Sequence, residues 1–361
     1  MGVRTLSDAL TLPATASLAS AYASIRARRV LVLLVLAAVL VASLLYDIAN
    51  GPAGLPVKQI IAGLFDPAAL DDGQRVILWD IRLPYALMAV LVGAALGLAG
   101  AEMQTALGNP LASPMTLGVT AAATLGAALV VVFDQKIAAA GIGGNYAVTL
   151  GAFIFAAACS LLVQALARAF GGSSGAIVLF GIALSFAINA LVSVVEFVAE
   201  AGSLQQIVFW SMGSLARADW NKLAIIGVVV AICLPWSLRS AWAMTALCAG
   251  EEQARALGIP VERLRLVTLL RASLLAAVAV AFVGAIGFIG LVAPHLARLA
   301  LGEDHRFYLP GAALAGAVVL SLSSIASKSV VPGLVLPVGI VTALVGVPLF
   351  IGLILVQRRS L

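Results

Sequence analysis

An all-α, polytopic membrane protein of about ten transmembrane helices is the fold this sequence predicts, on three observations. Mean hydropathy is +1.13, and only 10% of the 361 residues are charged, where a globular protein carries roughly a quarter. Stretches free of Asp, Glu, Lys and Arg lie at 30–46, 83–101, 103–133, 137–167, 176–195, 223–238, 272–297, 307–327 and 329–357, and about 20 apolar residues suffice for a helix to cross a bilayer. Basic residues flank both ends, Arg26, Arg28 and Arg29 at the start and Arg358 and Arg359 at the finish. Such flanks stay cytoplasmic, so the crossings should be even in number. A transmembrane barrel would show short alternating strands instead.

The elements follow in order. Residues 1–29 read as a cytoplasmic N-terminal segment, since the apolar run starts only after the three arginines, too late for a signal peptide. Residues 30–357 read as one transmembrane domain. Two stretches, 47–82 and 196–222, fall on the outer side and gather acids, among them Asp47, Asp80, Glu196, Glu200 and Asp219. A charged island at 239–265 falls inside, after the sixth crossing, with Glu251, Glu252, Arg255, Glu262, Arg263 and Arg265. A membrane protein that keeps one large charged loop usually keeps it for a partner. After residue 272, Gly284, Gly287 and Gly290 precede Pro294, which should break a continuous helix. A short helix over about 294–301 then supplies the tenth segment. With ten crossings, fourteen of the 21 basic residues fall inside, Arg4 and Arg271 among them, and seven outside, Lys58, Arg75, Arg82, Lys136, Arg217, Lys222 and Lys328.

A weak internal two-half repeat accompanies this layout. Pro110, Leu117 and Gly118 recur at the spacing of Pro294, Leu301 and Gly302, each set after a Gly-rich helix. Inverted repeats are common in transporters. The 34 glycines favour close helix packing in lipid.

Several functions are excluded by what the chain lacks. It has no GxxxxGK[ST], HExxH or GxSxG, and its cysteines, Cys159, Cys233 and Cys248, form no CxxC pair. His295 and His305 do not make a metal set. No cofactor and no metal are expected. The net charge of +5 is not gathered on one face, so no nucleic-acid partner is expected. Carboxylates inside the apolar runs are few, and Glu102 is placed near the cytoplasmic interface. An ion-coupled carrier needs ionisable groups at mid-membrane, and an intramembrane enzyme needs a catalytic constellation. Neither is read here. Energy must then arrive from another subunit through the charged island.

The motifs, in order, resemble the permeases of ABC importers for iron siderophores, haem and cobalamin, the FecCD type. The resemblance runs from about residue 30 to 357. It rests on Ile81-Arg-Leu-Pro84 with Gly93-Ala-Ala-Leu-Gly-Leu-Ala-Gly100, Asn109-Pro-Leu-Ala-Ser-Pro114, Phe209-Trp-Ser-Met-Gly-Ser-Leu215, Gly250-Glu-Glu-Gln-Ala-Arg-Ala-Leu-Gly258, Gly287 to Arg298 and Leu336-Pro-Val-Gly-Ile-Val-Thr342. It implies a multi-pass protein of the bacterial inner membrane with both termini cytoplasmic. The permease would pair with a second copy or a close relative. Two ATPase subunits would bind ATP and Mg, and a periplasmic or lipid-anchored binding protein would dock outside. The cargo implied is a ferric siderophore, with haem or cobalamin as the alternative.

Residue roles follow from the same resemblance. Gly250, Glu251, Glu252, Ala254, Leu257 and Gly258 would form the ATPase-coupling turn, with Ala254 and Leu257 as its apolar face. Arg82 and Lys328 would receive the binding protein. The family often has a second arginine where Tyr85 stands, and an Asp-x-x-Ala-Arg segment where Ser324-Ile-Ala-Ser-Lys328 stands. Lysine lacks the planar fork of arginine. Ser185, Asn189 and Ser193 recur every four residues, a polar stripe on one helix face. Asn189, Ser193 and Glu196 would line the passage, where hydrogen bonding between helices is the alternative.

Overall fold

The computed structural model describes residues 18–51, 54–134, 146–169, 174–331 and 333–358. Arg4, Lys136, Arg359 and most of the N-terminal segment lie outside the described residues. The described residues are helical throughout, without a strand. Helix α1 spans Leu18–Ala49. After the short α2 (Val57–Phe65) and α3 (Asp72–Arg75), a π-helical turn at Val76–Arg82 runs into α4 (Leu83–Leu107). Then come α5 (Val119–Val132), α6 (Ala147–Ala169), α7 (Ser174–Val198), α8 (Ala201–Ser211) and α9 (Trp220–Arg239). Two short helices, α10 (Ala241–Cys248) and α11 (Glu251–Ala256), precede α12 (Val261–Val283), α13 (Ile289–Leu301), α14 (His305–Ser329) and α15 (Val338–Arg358).

Among the described residues seven helices are long and apolar enough to cross a membrane, and three shorter apolar ones bring the set to ten. The three are Val119–Val132, Ile289–Leu301 and Val338–Gly352. The first crossing begins before residue 30, because the helix extends back through Arg26, Arg28 and Arg29. There Arg29 pairs with Asp304 at 2.9 Å, which anchors α1 to the start of α14.

The core is a wall formed by α4, α12, α13 and α14. Its seams are made by glycine. A Cβ on Gly93 would meet the Gly316 carbonyl, one on Gly97 the Ala312 carbonyl, and one on Gly100 the Gly290 carbonyl. In lipid, where apolar burial gives helices no preference for each other, such close approach supplies the packing contacts. Pro294 has no N–H to offer Gly290 four residues back, and Gly100 fills the space against that freed carbonyl.

The helix break comes earlier than Pro294. Helix α12 ends at Gly284, which has φ +84°, and α13 restarts at Ile289 with Pro294 inside it. Between them Phe288 takes φ +65°, the one positive value at a non-glycine residue among those described. The expected short helix over 294–301 thus begins five residues sooner. The repeat read from the sequence does not extend to local structure: Gly118 opens a helix and Gly302 closes one.

The bundle has two ends. The near end carries α10 and α11 and the junctions at Leu107 and Asp304. The far end carries the finish of α1, the start of α4 and the finish of α14. At the far end Trp220 Nε1 donates to the Trp79 carbonyl at 3.0 Å.

Candidate translocation pathway and coupling turn

A cavity of about 560 Å³ opens along α7. Ser185, Asn189, Ser193 and Glu196 line one side of it, and Thr116, Thr120 and Thr124 line the other. The stripe read at spacing four therefore faces a cavity. Ser185 is the exception in chemistry, since its hydroxyl donates back to the Gly181 carbonyl at 2.7 Å. Asn189 and Ser193 are exposed and Glu196 is half-buried. None of these three has a hydrogen bond to another described residue. The interhelical hydrogen bonds that would make them merely structural are missing among the described residues. Gly118, at φ +81°, lets the chain pass close to Ser185 and Cys159.

The charged island folds into a tight turn at the near end. Gly250, at φ +126°, opens α11, and Gly258, at φ +79°, closes it. Glu251 and Glu252 occupy the first turn, where a carboxylate meets the positive end of the helix. Glu251 bonds Arg255 at 3.2 Å and also Arg265. Arg265 in turn donates to the Ala106 carbonyl at 2.9 Å. The turn is thereby tied to the last carbonyls of α4.

The apolar face expected from Ala254 and Leu257 divides in two. Ala254 is fully buried against Leu247, Ile259 and Val261, while Leu257 is 59% exposed. A six-residue helix that must sit on its own chain cannot present both. The outward surface is Glu252, Gln253, Arg255, Ala256 and Leu257. Asn109 lies close by, with Gly250 and Glu251, around a cavity of about 300 Å³. Its side-chain oxygen accepts from Leu111 N at 2.9 Å, which shapes a turn.

At the far end the two expected docking cations are occupied. Arg82, 5% exposed, donates to the carbonyls of Ile48 and Ala49 at 3.1 Å each. These are the last carbonyls of α1, which lack helical donors. Lys328 pairs with Asp47 at 2.7 Å, with both side chains buried, and its ammonium sits 4.8 Å from the Tyr85 ring centroid. Asp47 also accepts from Ser324 at 2.8 Å. The two departures from the family pattern, Tyr85 and Lys328, therefore meet in one cluster. Free surface cations at these positions are not what the structure provides, because each helix end needed them first. Asp47, read as an outer-loop acid, belongs to the last turn of α1.

Sequence reasoning also missed a pair inside the wall. Glu102 and Arg271, both fully buried, approach to 2.5 Å between α4 and α12. Ser237 of α9 donates to the same carboxylate, and the guanidinium lies 5.4 Å from the Trp236 ring. Glu102 lies within α4, which ends at Leu107, and Arg271 lies within α12, which begins ten residues before it. The available signal was the lone carboxylate itself, which demands a cation when buried. His305 is likewise buried, with Nε2 at 2.8 Å from Thr105 Oγ1.

Ten apolar helices, a polar cavity along one of them and a projecting charged turn define a membrane permease. The chain belongs to the FecCD transport family, whose model matches residues 35–357. It is the permease subunit of an ABC importer. The hemin transport system permease HmuU of Yersinia pestis is 36% identical over 317 residues, 88% of this chain and 94% of that one. The vitamin B12 import permease BtuC of Escherichia coli is 39% identical over 289 residues, 79% of this chain and 85% of that one. Among solved structures, an inward-facing metal-chelate type ABC transporter matches at 33% identity and TM-score 0.78, over 89% of this chain and 98% of its own. PsaBC from Streptococcus pneumoniae, at 18% identity and TM-score 0.55 over 82% of this chain and 95% of its own, shares the fold.

Proposed function

We propose that this permease carries an iron chelate, a ferric siderophore, across the inner membrane of a bacterium. Haem or cobalamin, the cargoes named for the two relatives above, is the second reading. Two copies pair and the chelate passes between them, along the α7 cavity lined by Asn189, Ser193 and Glu196. Both termini and the α10–α11 turn face the cytoplasm. There Glu251, Glu252, Leu257 and the glycines at 250 and 258 engage two ATPase subunits, which hold the ATP and Mg. A nucleotide site in this chain is not part of the reading. Ala254 supports the turn from within. A periplasmic or lipid-anchored binding protein docks on the far end, where Arg82 and Lys328 shape the surface rather than meet the partner as free charges.

The observation that carries this reading is the link Glu251–Arg265–Ala106, which joins the turn to α4. A push on the turn is transmitted to the wall that backs the cavity. The test is ATP-driven uptake of labelled ferric siderophore, haem or cobalamin in proteoliposomes with the cognate ATPase and binding protein. Uptake should require ATP and fall at least tenfold in Glu251→Ala/Glu252→Ala, on the order expected for interface anchors. Uptake without any ATPase would overturn the reading.

A further inference from the structure

The α7 cavity carries an electrical signature. Glu196 is the one ionisable residue that lines it; every other lining side chain among the described residues is neutral. Its carboxylate has no hydrogen bond or ion pair with another described residue. No cation lines the cavity, and the two cations that follow α8 make contacts elsewhere. Lys222 pairs with Asp219 at 2.8 Å. Arg217 donates to the Phe209 carbonyl at 3.1 Å and lies 5.7 Å from the Trp210 ring. Burial holds Arg217 below the usual arginine range, but neither residue lines the cavity. One turn beyond Glu196, Glu200 is exposed and adds to the same sign.

A cleft lined by one sign of charge and walled by apolar helices focuses its field. We infer that Glu196 makes this passage a charge filter, admitting neutral and cationic chelates and turning back chelates that carry free carboxylates or a net negative charge. The inference rests on the importer reading for its cargo, but not for its electrostatics. A passage formed between two copies would bring two such carboxylates to one lumen.

The test uses the full chain assembled with its ATPase, in a Cys248→Ser background that removes the exposed native thiol. Ser193→Cys places a probe thiol one helical turn from Glu196. Its modification rate is measured with a cationic ethylammonium and an anionic ethylsulfonate methanethiosulfonate. The cationic reagent should react faster, relative to the two rates on a free thiol. Glu196→Gln should reduce that ratio by up to roughly thirtyfold, since a unit charge at contact distance in water speeds the cationic reagent and slows the anionic one by about fivefold each; Glu196→Asp should keep it. Each variant supplies its own ratio, so a loss of folded protein does not imitate the effect. A ratio unchanged by Glu196→Gln overturns the filter. So does uptake by the complete importer of a ferric tris-catecholate, net charge −3, as its cargo. Uptake of no chelate, with the ratio as expected, would sink the importer reading and leave the filter standing.

Discussion

The wall around α4 and the helix α7 are both apolar in sequence yet opposite in what they do with polar groups. In the apolar window of Asp72–Leu107, 83% of residues are buried, against 22% for Ser174–Val198. The two fully buried carboxylates in and against the wall each have a cation and a hydroxyl: Glu102 has Arg271 and Ser237, and Asp47 of α1 has Lys328 and Ser324. Along α7, Asn189, Ser193 and Glu196 have no partner among the described residues. Polar groups deep in a membrane protein are costly unless satisfied. A cluster whose charges are paired holds helices together, even with Glu102 Oε2 and Arg271 Nη1 making no hydrogen bond of their own, and an unpartnered stripe facing a cavity waits for water, cargo or a second copy. Partnering, rather than polarity, separates the two.

The sharpest way to break this contrast is to remove one member of the wall pair. Arg271→Met leaves Glu102 as an uncompensated buried carboxylate. That should destabilise the protein by about 3–5 kcal/mol, seen as loss of monodisperse protein on heating in detergent. Glu102→Gln combined with Arg271→Met should recover most of it, since a neutral pair of similar volume can replace a buried ion pair. A single variant as heat-stable as the parent would show that the pair is not structural.

The glycine seam comes next. Gly93→Ala sets a methyl group against the Gly316 carbonyl, where the obstacle is backbone and cannot rotate aside. The cost should be about 1–3 kcal/mol, with α4 and α14 forced apart. If thermal unfolding in detergent is unmoved, the close approach of these two helices is not what holds the wall.

The coupling turn lets the same comparison be made within six residues. Leu257 is outward and Ala254 inward. Leu257→Ala should weaken ATPase association roughly tenfold, the effect of losing one interface anchor, with stability unchanged. Ala254→Leu should do the reverse, lowering heat stability by overpacking before it touches affinity. Titration of labelled ATPase onto the permease in nanodiscs reads the first effect, and melting reads the second. Equal behaviour of the two variants would dissolve the distinction.

The α-helical class, the set of ten apolar helices and the glycine-bracketed acidic turn were legible because each depends on local pattern: apolar length, glycine before and after a short acidic turn, ordered signatures. The stripe Ser185, Asn189, Ser193 was legible for the same reason, since helical period alone puts it on one face. The wall pairs were not. Glu102 and Arg271 lie 169 positions apart, and hydropathy placed Arg271 in the cytoplasmic segment because the charge-free run starts just after it. The contacts of Arg82 and Lys328 were hidden in the same way: sequence shows a cation near a helix end, but not that an α1 carbonyl or Asp47 already holds it. Ala254 failed on a smaller scale. Spacing i, i+3 gave a shared face with Leu257, but a helix of six residues turns that face only partly outward.

The smallest expected effect on stability is on α7, and it is the most telling. Asn189→Ala and Ser193→Ala remove polar atoms that bond nothing else described in the chain. Surface changes away from such bonds usually stay within about 0.5 kcal/mol, so melting in detergent should not move. Uptake, by contrast, should fall several-fold, because cargo crossing this cavity would lose a hydrogen-bonding group at each step. A wall residue behaves the other way, losing fold before function. If instead either substitution destabilises the permease by more than about 1 kcal/mol, the stripe is bonding a second copy and belongs with the structural clusters. The two regions would then differ only in which chain supplies the partner.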